Sequence, residues 1–405
     1  MNVKVFPQVA KGVIQAPPSK SMAHRLLICA GMCEGESVIG GISDCEDVQA
    51  TLDCLRAVGA ECTQVGDTVT VRGVDFRTAR PKEILRCRES GSTLRFLIPL
   101  LLLTGHTATF EGYGRLMERP MTVYEEICRQ KGLTFSRCGS QLTVGGGLPS
   151  GTYVLPGNVS SQFVSGLLFA LPMAEGDSVI QLIPPVESRS YILMTIDAMK
   201  QFGVDVEWEG DERLHIRGGW RYSPLRGNVE GDYSNAAFLD AFNCLGGQVT
   251  VEGLRGDSLQ GDQVYRDAME RLCREDMATV SLGNCPDLGP ILFAVAAAKR
   301  GGIFTETARL RIKESDRVET MRQELEKFGV KMKIEADRVE IEKGELHPPT
   351  QPLLGHNDHR IVMALTVLLT LTGGELSGAE AVRKSYPSFF DDLRTLGFCI
   401  EESYQ

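Results

Sequence analysis

Residues 34–40 read Glu-Gly-Glu-Ser-Val-Ile-Gly, a glycine-containing turn followed by a short run of β-type residues. Similar openings recur five more times, at residues 104–110, 175–180, 246–251, 300–304 and 372–376. The six anchoring glycines are 70, 71, 70, 55 and 72 residues apart, at Gly35, Gly105, Gly176, Gly246, Gly301 and Gly373. Self-similarity at a nearly fixed spacing is typical of a repeated structural unit. The sequence therefore predicts six copies of one unit.

Each copy predicts a strand, an amphipathic helix and further strands. In three copies the amphipathic helix ends at a glycine suited to a left-handed cap, namely Gly59, Gly203 and Gly329. Very apolar helices join the copies, at about residues 21–33, 92–103, 162–174, 234–245, 288–299 and 359–371. A helix that is apolar nearly all round belongs inside a protein. We therefore predict an α/β fold with its sheets outside and these helices inside.

Composition limits the class of protein. The 405 residues are 42% hydrophobic and 24% charged, as in ordinary globular proteins. The formal net charge of −10 disfavours a protein that wraps nucleic acid or lies on an anionic membrane. No signal peptide and no apolar run of about 18 to 20 residues is apparent, so we expect a cytoplasmic protein. Twelve scattered cysteines without a Cys-x-x-Cys pair favour reduced, mostly buried thiols over structural zinc.

Polar segments precede the six apolar helices, at residues 19–21, 89–92, 160–162, 232–235, 286–287 and 357–360. Helix capping explains their serine, aspartate and asparagine residues. Lys20, Gln162 and Arg360 are not capping residues. If the copies are arranged with pseudo-symmetry, these helix N-termini converge, and their amides and dipoles favour bound anions.

Cations recur in the same segments. Lys20 lies at a helix start, and Ser21 and Arg25 share one face of that otherwise apolar helix, which favours a phosphate or carboxylate ligand over two solvated cations. His24 adjoins this face and is expected to be structural. Lys313 and Arg317 repel each other at i, i+4, so either the neighbouring acidic residues or a bound polyanion lies between them.

Two further basic residues precede prolines in equivalent positions of different copies. Arg119 stands before Pro120, and Lys384 opens a segment that ends at Pro387. Acid–base chemistry at such a site requires carboxyl groups, and Asp287 and Glu314 are the candidates. A carboxylate that faces cations stays ionised and suits a general base.

Eight of these motifs together resemble the EPSP synthase (5-enolpyruvylshikimate-3-phosphate synthase) family. They occur in family order between residues 17 and 391, as Pro17-Pro18-Ser19-Lys20-Ser21 with Arg25, then residues 90–95, 118–121, 160–162, 230–234, 312–317, 357–360 and 384–387. The resemblance implies a two-domain inverted α/β fold of six βαβαββ units, three per domain. It places residues 1–19 and 229–405 in one domain and 20–228 in the other, with the active site in the cleft between them.

The resemblance also implies a reaction. The family transfers the enolpyruvyl group of phosphoenolpyruvate to the 5-hydroxyl of shikimate 3-phosphate, through a tetrahedral intermediate, and releases phosphate. It serves aromatic amino acid biosynthesis without a metal or organic cofactor. The resemblance implies a monomer that is inhibited by glyphosate. Because Gly91 has no side chain, glyphosate would have room to bind there.

Carried over residue by residue, the resemblance gives two binding sets. Shikimate 3-phosphate would be held by Lys20, Ser21, Arg25, Ser160, Ser161, Gln162, Ser188, Tyr191, Asp287, Arg309 and Lys313. Phosphoenolpyruvate would be held by Lys20, Gly91, Arg119, Gln162, Glu314, Arg317, His359, Arg360 and Lys384. Asp287 would take the hydroxyl proton, and Glu314 or Lys20 would handle the methyl proton.

Three positions depart from the family pattern, and two rival functions compete with the main interpretation. Glu89 and Arg309 stand where asparagine is common, and Arg189-Ser190 replaces a common Lys-Pro pair. One rival is the UDP-N-acetylglucosamine enolpyruvyl transferase, whose loop cysteine has no counterpart in residues 112–120. The other is a non-catalytic anion-binding paralogue, which would be expected to lose Asp287, Glu314 or one of the cations.

Overall fold

The computed structural model describes residues 1–404 of the chain. The strands are β1 Asn2–Val5, β2 Lys11–Gln15, β3 Glu36–Gly40, β4 Glu61–Val65, β5 Thr68–Arg72, β6 Leu85–Arg88, β7 Ala108–Gly112, β8 Thr134–Cys138, β9 Gln141–Gly145, β10 Gly151–Pro156, β11 Ser178–Ile183, β12 Glu207–Glu209, β13 Arg213–Ile216, β14 Arg226–Asn228, β15 Gln248–Glu252, β16 Thr279–Ser281, β17 Gly302–Thr305, β18 Met332–Ile334, β19 Arg338–Ile341, β20 Leu353–Leu354, β21 Gly374–Ser377 and β22 Ile400–Ser403. The α-helices are α1 Lys20–Gly31, α2 Glu46–Val58, α3 Gly91–Leu103, α4 Thr122–Lys131, α5 Ser161–Ala170, α6 Arg189–Gln201, α7 Tyr233–Cys244, α8 Tyr265–Arg274, α9 Gly289–Ala298, α10 Arg317–Glu326, α11 His359–Thr372 and α12 Phe389–Thr395. Short 3₁₀ turns cover Leu116–Glu118, Leu171–Met173, Gly261–Val264, Pro286–Leu288, Ala308–Ile312 and Ala379–Lys384.

The apolar helices are buried, as predicted. Helices α1, α3, α5, α7, α9 and α11 each begin within one residue of the predicted start. Nine of the ten residues in α5 are buried, and so are twelve of the fourteen in α11. Their first turns are capped by side chains of Ser19, Ser90, Ser160, Asp232 and Asp358, which accept backbone N–H groups. Helix α9 instead follows the 3₁₀ turn that carries Asp287.

Four sheets share one topology. Their strand orders are β14-β3-β5-β4, β6-β7-β9-β8, β10-β11-β13-β12 and β16-β17-β19-β18. In each sheet the first two strands are parallel and the remaining pairings are antiparallel. A parallel pair needs a crossover, and a buried helix supplies it in three of these sheets, for example α3 between β6 and β7. The mixed α/β prediction is confirmed.

The remaining two sheets depart from this order in instructive ways. In the sheet β20-β21-β1-β22, the N-terminal strand β1 lies antiparallel between two strands from the end of the chain. The sheet β15-β2 has only two strands, because residues 275–278 connect α8 directly to β16 where other units carry a hairpin. The shortened spacing of 55 residues after Gly246 thus reflects a missing hairpin.

The chain divides into two compact units. The first consists of Met1–Pro17 and the chain from Gly231 onward, and the second is Pro18–Glu230. The first unit contains the sheets of β15, β17 and β21 around the buried helices α7, α9 and α11. The second contains the sheets of β3, β7 and β11 around α1, α3 and α5. Each unit therefore holds three of the six copies.

Two other sequence expectations concern location and thiols. Within residues 1–404, no helix has both the length and the apolar character that crossing a membrane would require. The cysteines are free thiols, of which seven are buried and two, Cys138 and Cys399, are exposed. This agrees with the expectation of mostly buried thiols.

Candidate active site

In the first unit, the starts of α10 and α11 are joined by a buried ion pair. Arg317, the first residue of α10, donates from Nε to Asp358 Oδ2 at 2.9 Å and from Nη2 to Oδ1 at 3.3 Å. Asp358 is fully buried and also caps α11, accepting the backbone N–H of Arg360 at 3.0 Å. Burial lowers the pKa of Arg317, but the surrounding carboxylates outweigh it and raise the pKa above its usual range. Arg317 is therefore a permanent cation.

Asp287 is surrounded by three cations. Its Oδ1 accepts from Lys313 Nζ at 3.2 Å and from Arg317 Nη1 at 2.9 Å, and its Oδ2 accepts from Arg360 Nη2 at 3.3 Å. The Asp287 side chain is 21% exposed, so a ligand can reach it. Nearby positive charge favours the ionised carboxylate. The carboxylate thus has the charge state and the access of a general base.

Lys313 differs from its neighbouring arginines in its proton affinity. It follows the 3₁₀ turn Ala308–Ile312, and its side chain is 29% exposed. Burial lowers the pKa of the ammonium group to about 8, although the Asp287 charge opposes that shift. A bound anion would favour the charged form. Lys313 can therefore change charge close to physiological pH.

Glu314 and His359 form a second pair in this unit. His359 Nδ1 lies 2.8 Å from Glu314 Oε2, and Arg317 Nη2 lies 4.0 Å from the same oxygen. Donor atoms of Glu314, Asp358 and His359 all lie within 4.8 Å of one another, a spacing that suits a metal ion. Asp358, however, already accepts from Arg317, from Ser315 Oγ at 3.0 Å and from a backbone amide. A metal ion would compete with the guanidinium group, so this donor set favours an ion-pair network.

The other predicted residues of this unit lie around the same helix starts. Lys384 is buried, and its Nζ donates to the backbone oxygen of Asn357 at 2.6 Å. Arg360 also donates to Ser234 Oγ at 3.3 Å. Arg309 is largely buried and donates from Nη1 to the backbone oxygen of Gly283 at 3.2 Å. The structure thus brings Asp287, Lys313, Arg317 and Arg360 into direct contact.

In the second unit, the first residue of α1, Lys20, forms an ion pair with Asp47. Lys20 Nζ donates to Asp47 Oδ2 at 2.7 Å, and the two side chains are 14% and 10% exposed. Arg25 donates from Nη1 to Ser21 O at 2.6 Å and from Nη2 to Tyr191 O at 3.0 Å. Burial lowers the pKa of Arg25 to about 10, so it remains charged at neutral pH. Ser21, Arg25 and Tyr191 are therefore neighbours.

A second group in this unit lies at the starts of α3 and α5. Arg95 Nη1 donates to Gln162 Oε1 at 2.7 Å, and Gln162 Nε2 donates to Ser92 Oγ at 2.9 Å. A Cβ atom on Gly91 would lie 2.9 Å from Arg119 Nη1 and 3.2 Å from Arg95 Nη1. Glycine at this position therefore leaves room for two guanidinium groups. Burial lowers the pKa of Arg95 to about 9, and the charge of Arg119 adds to that shift.

Three predicted serines lie at helix starts of the same unit. Ser160 caps α5 and accepts the backbone N–H of Gln162 at 3.3 Å, while Ser161 is the first residue of that helix. Ser188 precedes α6 in a left-handed conformation with φ of +53°, and its backbone oxygen accepts from Tyr191 N at 3.1 Å. These contacts place Ser188 one turn from Tyr191.

Sequence reasoning missed three residues that contact this set. Asp358 and Arg95 both lie inside the quoted motifs. The available signal for Asp358 was a capping residue close to an arginine, and the signal for Arg95 was a cation on an apolar helix. Asp47, the partner of Lys20, gave no signal beyond its position in the first turn of α2. His24, which was expected to be structural, is buried with Nδ1 2.7 Å from Thr51 Oγ1, and burial lowers its pKa to about 3.

Two of the unusual residues have identifiable surroundings. Arg189 forms an ion pair with Asp211, and its guanidinium carbon lies 4.3 Å from the centroid of the Trp208 ring. The Glu89 carboxylate approaches Gly114 so closely that a Cβ there would lie 2.7 Å from Glu89 Cδ. Arg189, the first residue of α6, is therefore held against β12 and the turn that follows it, and Glu89 lies beside the loop that precedes Arg119.

Comparison with known proteins gives a consistent result. The family model of EPSP synthase (3-phosphoshikimate 1-carboxyvinyltransferase) matches residues 7–393. A 3-phosphoshikimate 1-carboxyvinyltransferase of Clostridium kluyveri is 38% identical over 420 aligned residues, covering 99% of this chain and 98% of the relative. One of Clostridium acetobutylicum is 38% identical over 427, with the same coverage. A solved EPSP synthase structure from Acinetobacter baumannii aligns with a TM-score of 0.79 at 24% identity, covering 99% of this chain and 100% of that one. That likeness supports the fold.

Proposed function

The chain belongs to the EPSP synthase family, and from that premise we propose how its residues carry out the 3-phosphoshikimate 1-carboxyvinyltransferase reaction. This transferase moves the enolpyruvyl group of phosphoenolpyruvate to the 5-hydroxyl of shikimate 3-phosphate and releases phosphate. One observation carries the assignment of roles. The Asp287 carboxylate is held by three cations and is still partly exposed.

In the proposed mechanism, Asp287 takes the proton of the 5-hydroxyl as its oxygen attacks C2 of phosphoenolpyruvate. A proton must reach C3 in the same addition, which gives a tetrahedral intermediate that keeps its phosphate. Glu314, paired with His359, and Lys20, paired with Asp47, are the candidate proton donors. Removal of a proton from the C3 methyl group then re-forms the C2–C3 double bond and expels phosphate, which gives the enol ether product. A positioned acid or base of this kind contributes about 10² to 10⁴ in rate.

The two substrates bring two phosphates and two carboxylates together, and their repulsion must be neutralised. We propose that Lys313, Arg317, Arg360 and Lys384 of one unit act with Lys20, Arg25 and Arg119 of the other on one pair of ligands. Fixed cations shielded from water stabilise developing negative charge at little reorganisation cost. The remaining members of the two predicted binding sets belong to this proposal. So does the assignment of the active site to a cleft between two domains divided near residues 19 and 229.

A discontinuous phosphate assay tests the function. Purified protein mixed with phosphoenolpyruvate and shikimate 3-phosphate should release phosphate in step with a product that contains one added enolpyruvyl group by mass spectrometry. Phosphate release with UDP-N-acetylglucosamine in place of shikimate 3-phosphate would instead support the rival transferase. Binding of both substrates without any phosphate release would support the non-catalytic paralogue.

Three finer points also belong to the proposal. Glyphosate is expected to compete with phosphoenolpyruvate near Gly91, because that position has no side chain and adjoins the guanidinium groups of Arg95 and Arg119. The enzyme is expected to act as a monomer in the cytoplasm. Inhibition kinetics against each substrate test the first point, and sedimentation velocity with and without ligands tests the monomeric state.

A further inference from the structure

Helix α10 carries a buried carboxylate that the reaction described above does not use. The Glu324 side chain is 1% exposed and lies seven residues after Arg317, so both occupy the same face of the helix. Its neighbours Met321 and Leu325 are completely buried. An ionised carboxylate is expensive to bury unless charged and hydrogen-bonding partners surround it. The partners of Glu324 therefore indicate what the residue does.

All of those partners tie one segment of chain to α10. Glu324 Oε2 accepts the backbone N–H of Leu354 at 3.0 Å, and Oε1 accepts from His356 Nε2 at 2.9 Å. Lys327 Nζ donates to the two carboxylate oxygens at 3.0 and 2.8 Å and to the backbone oxygen of Pro352 at 3.1 Å. Glu324 and Lys327 thus hold residues 352–356 at three points.

That segment leads directly into the start of α11. His356 and Asn357 both adopt left-handed conformations, with φ of +49° and +54°, a region that is uncommon for residues other than glycine, although asparagine and histidine enter it more readily than most. Asn357 then offers its backbone oxygen to Lys384, and Asp358 binds Arg317. Helix α10 therefore holds this turn at both ends, through Arg317 and through Glu324.

We propose that Glu324 is a positioning residue for phosphoenolpyruvate, which acts through His356 and Leu354 to set the turn from which His359 and Arg360 project. The proposal rests on the proposed function, because it takes those two residues as phosphoenolpyruvate ligands. Lys313 and Arg25, which are assigned to shikimate 3-phosphate, lie on other elements. Loosening the turn should therefore affect one substrate more than the other.

The main test compares E324Q with E326Q in steady-state assays that vary each substrate. Glu326 makes the matched control because it lies on the same helix, is 72% exposed and pairs with Arg322. We expect E324Q to raise the KM for phosphoenolpyruvate by about tenfold, as small displacements of binding groups do, while the KM for shikimate 3-phosphate changes less than about twofold. E326Q should match the wild type.

A second pair of variants keeps the proposal testable if E324Q folds poorly. H356Q retains a side-chain N–H donor, whereas H356F does not, and Glu324 remains in both. H356F should reproduce the rise in the KM for phosphoenolpyruvate, and H356Q should recover most of it. Equal changes in both KM values, or a fall in melting temperature with unchanged KM values, would overturn the positioning role. If wild-type protein releases no phosphate, the proposed function itself fails, which is a separate outcome.

Discussion

At the residue scale, Asp287 neutralises cations and is our proposed general base. Three cationic side chains converge on this one carboxylate, which offsets the repulsion among them. In the presence of substrates, phosphates and carboxylates would take over that neutralisation. Asp287 would then be free to accept a proton, which couples substrate binding to the availability of the base.

The D287N variant tests this role. An amide cannot accept the hydroxyl proton, so turnover should fall about 10² to 10⁴-fold, whereas calorimetric affinity for shikimate 3-phosphate should change much less. D276N is a suitable control, because Asp276 is 66% exposed and pairs with Arg300 and Lys343. Turnover in D287N within a few-fold of the wild type would refute the assignment.

Lys313 gives a pH-dependent prediction. Its pKa of about 8 means that the ammonium form dominates below pH 8 and is lost as the pH rises further. A phosphate binds the charged form, so the affinity for shikimate 3-phosphate should fall above pH 8, by up to about tenfold per pH unit. Calorimetry between pH 7 and 9.5 measures this. K313R should show a flatter profile because arginine stays charged, and an identical slope in K313R would contradict the prediction.

The sequence indicated most of the cationic side chains of the candidate site, but it did not indicate which carboxylates they contact. Lys20, Arg317 and Arg360 stood out because cations on apolar helices or at helix starts require an anion. Their partners Asp47, Asp287 and Asp358 come from distant parts of the chain, and contacts of that kind leave no local pattern. Glu324 is a further case, since only its place among apolar neighbours on α10 distinguishes it from an exposed glutamate.

At the element scale, two aspartates that cap helices allow the stability contributed by the buried Arg317–Asp358 ion pair to be distinguished from that of helix capping. Asp358 caps α11 and pairs with buried Arg317, whereas Asp316 caps α10, is 36% exposed and has a longer ion-pair contact of 3.7 Å with Arg311. An exposed pair of this kind contributes little to stability. Asparagine caps as well as aspartate, so D316N should cost less than about 0.5 kcal/mol of unfolding free energy. D358N also breaks the buried pair and should cost about 3 to 5 kcal/mol. Urea unfolding curves measure both, and equal costs would contradict this account.

The start of α3 makes a prediction about space. In G91A the new methyl group would lie 2.9 Å from Arg119 Nη1 and must displace that guanidinium. Because Arg119 is assigned to phosphoenolpyruvate, its KM should rise by about tenfold. Initial rates at saturating shikimate 3-phosphate measure the change. G147A is the control, since no atom lies within 4 Å of a Cβ there. An unchanged KM in G91A would remove Arg119 from the binding set.

Elements differed in how far the sequence predicts them. The six buried helices begin within one residue of their predicted starts, because caps and apolar patterning are local signals. Strand pairings were not predictable in this way. Strand β14 pairs with β3 although nearly the whole second unit lies between them, and β1 joins strands from the far end of the chain. Local residue patterns do not specify which distant edge a strand will join.

At the scale of the whole molecule, the net charge of the chain does not indicate the charge of its proposed binding sets. The formal net charge is −10, yet seven basic residues from the two units are assigned to one pair of small anions. Under the proposed assignment, ligands that neutralise both sets should draw the units together. Small-angle scattering should therefore show a smaller radius of gyration with shikimate 3-phosphate and a phosphoenolpyruvate analogue than without them. Shikimate alone, which lacks the phosphate, is the control. An unchanged radius of gyration with shikimate 3-phosphate and the phosphoenolpyruvate analogue would contradict the prediction.

The unequal repeat spacing also acquires a physical meaning at this scale. The value of 55 was visible in the sequence, but only the structure shows that the α8 unit lacks its hairpin and retains the parallel pair β2–β15. The helix α7 of that unit is still buried and capped like its counterparts. A parallel pair with its buried helix is therefore sufficient for one copy of the unit.

The strand pairings impose an order on folding during synthesis. All three sheets of the second unit have their strands once residue 230 has left the ribosome. Strand β2 is synthesised earlier but can pair with β15 only after residues 248–252 emerge. Strand β1 can pair with its neighbours only after residues 374–403 emerge. Domains generally fold as units as the chain emerges. The nascent chain should therefore acquire its middle first, while β2 remains unpaired until residue 252 has emerged and β1 until residues 374–403 have emerged.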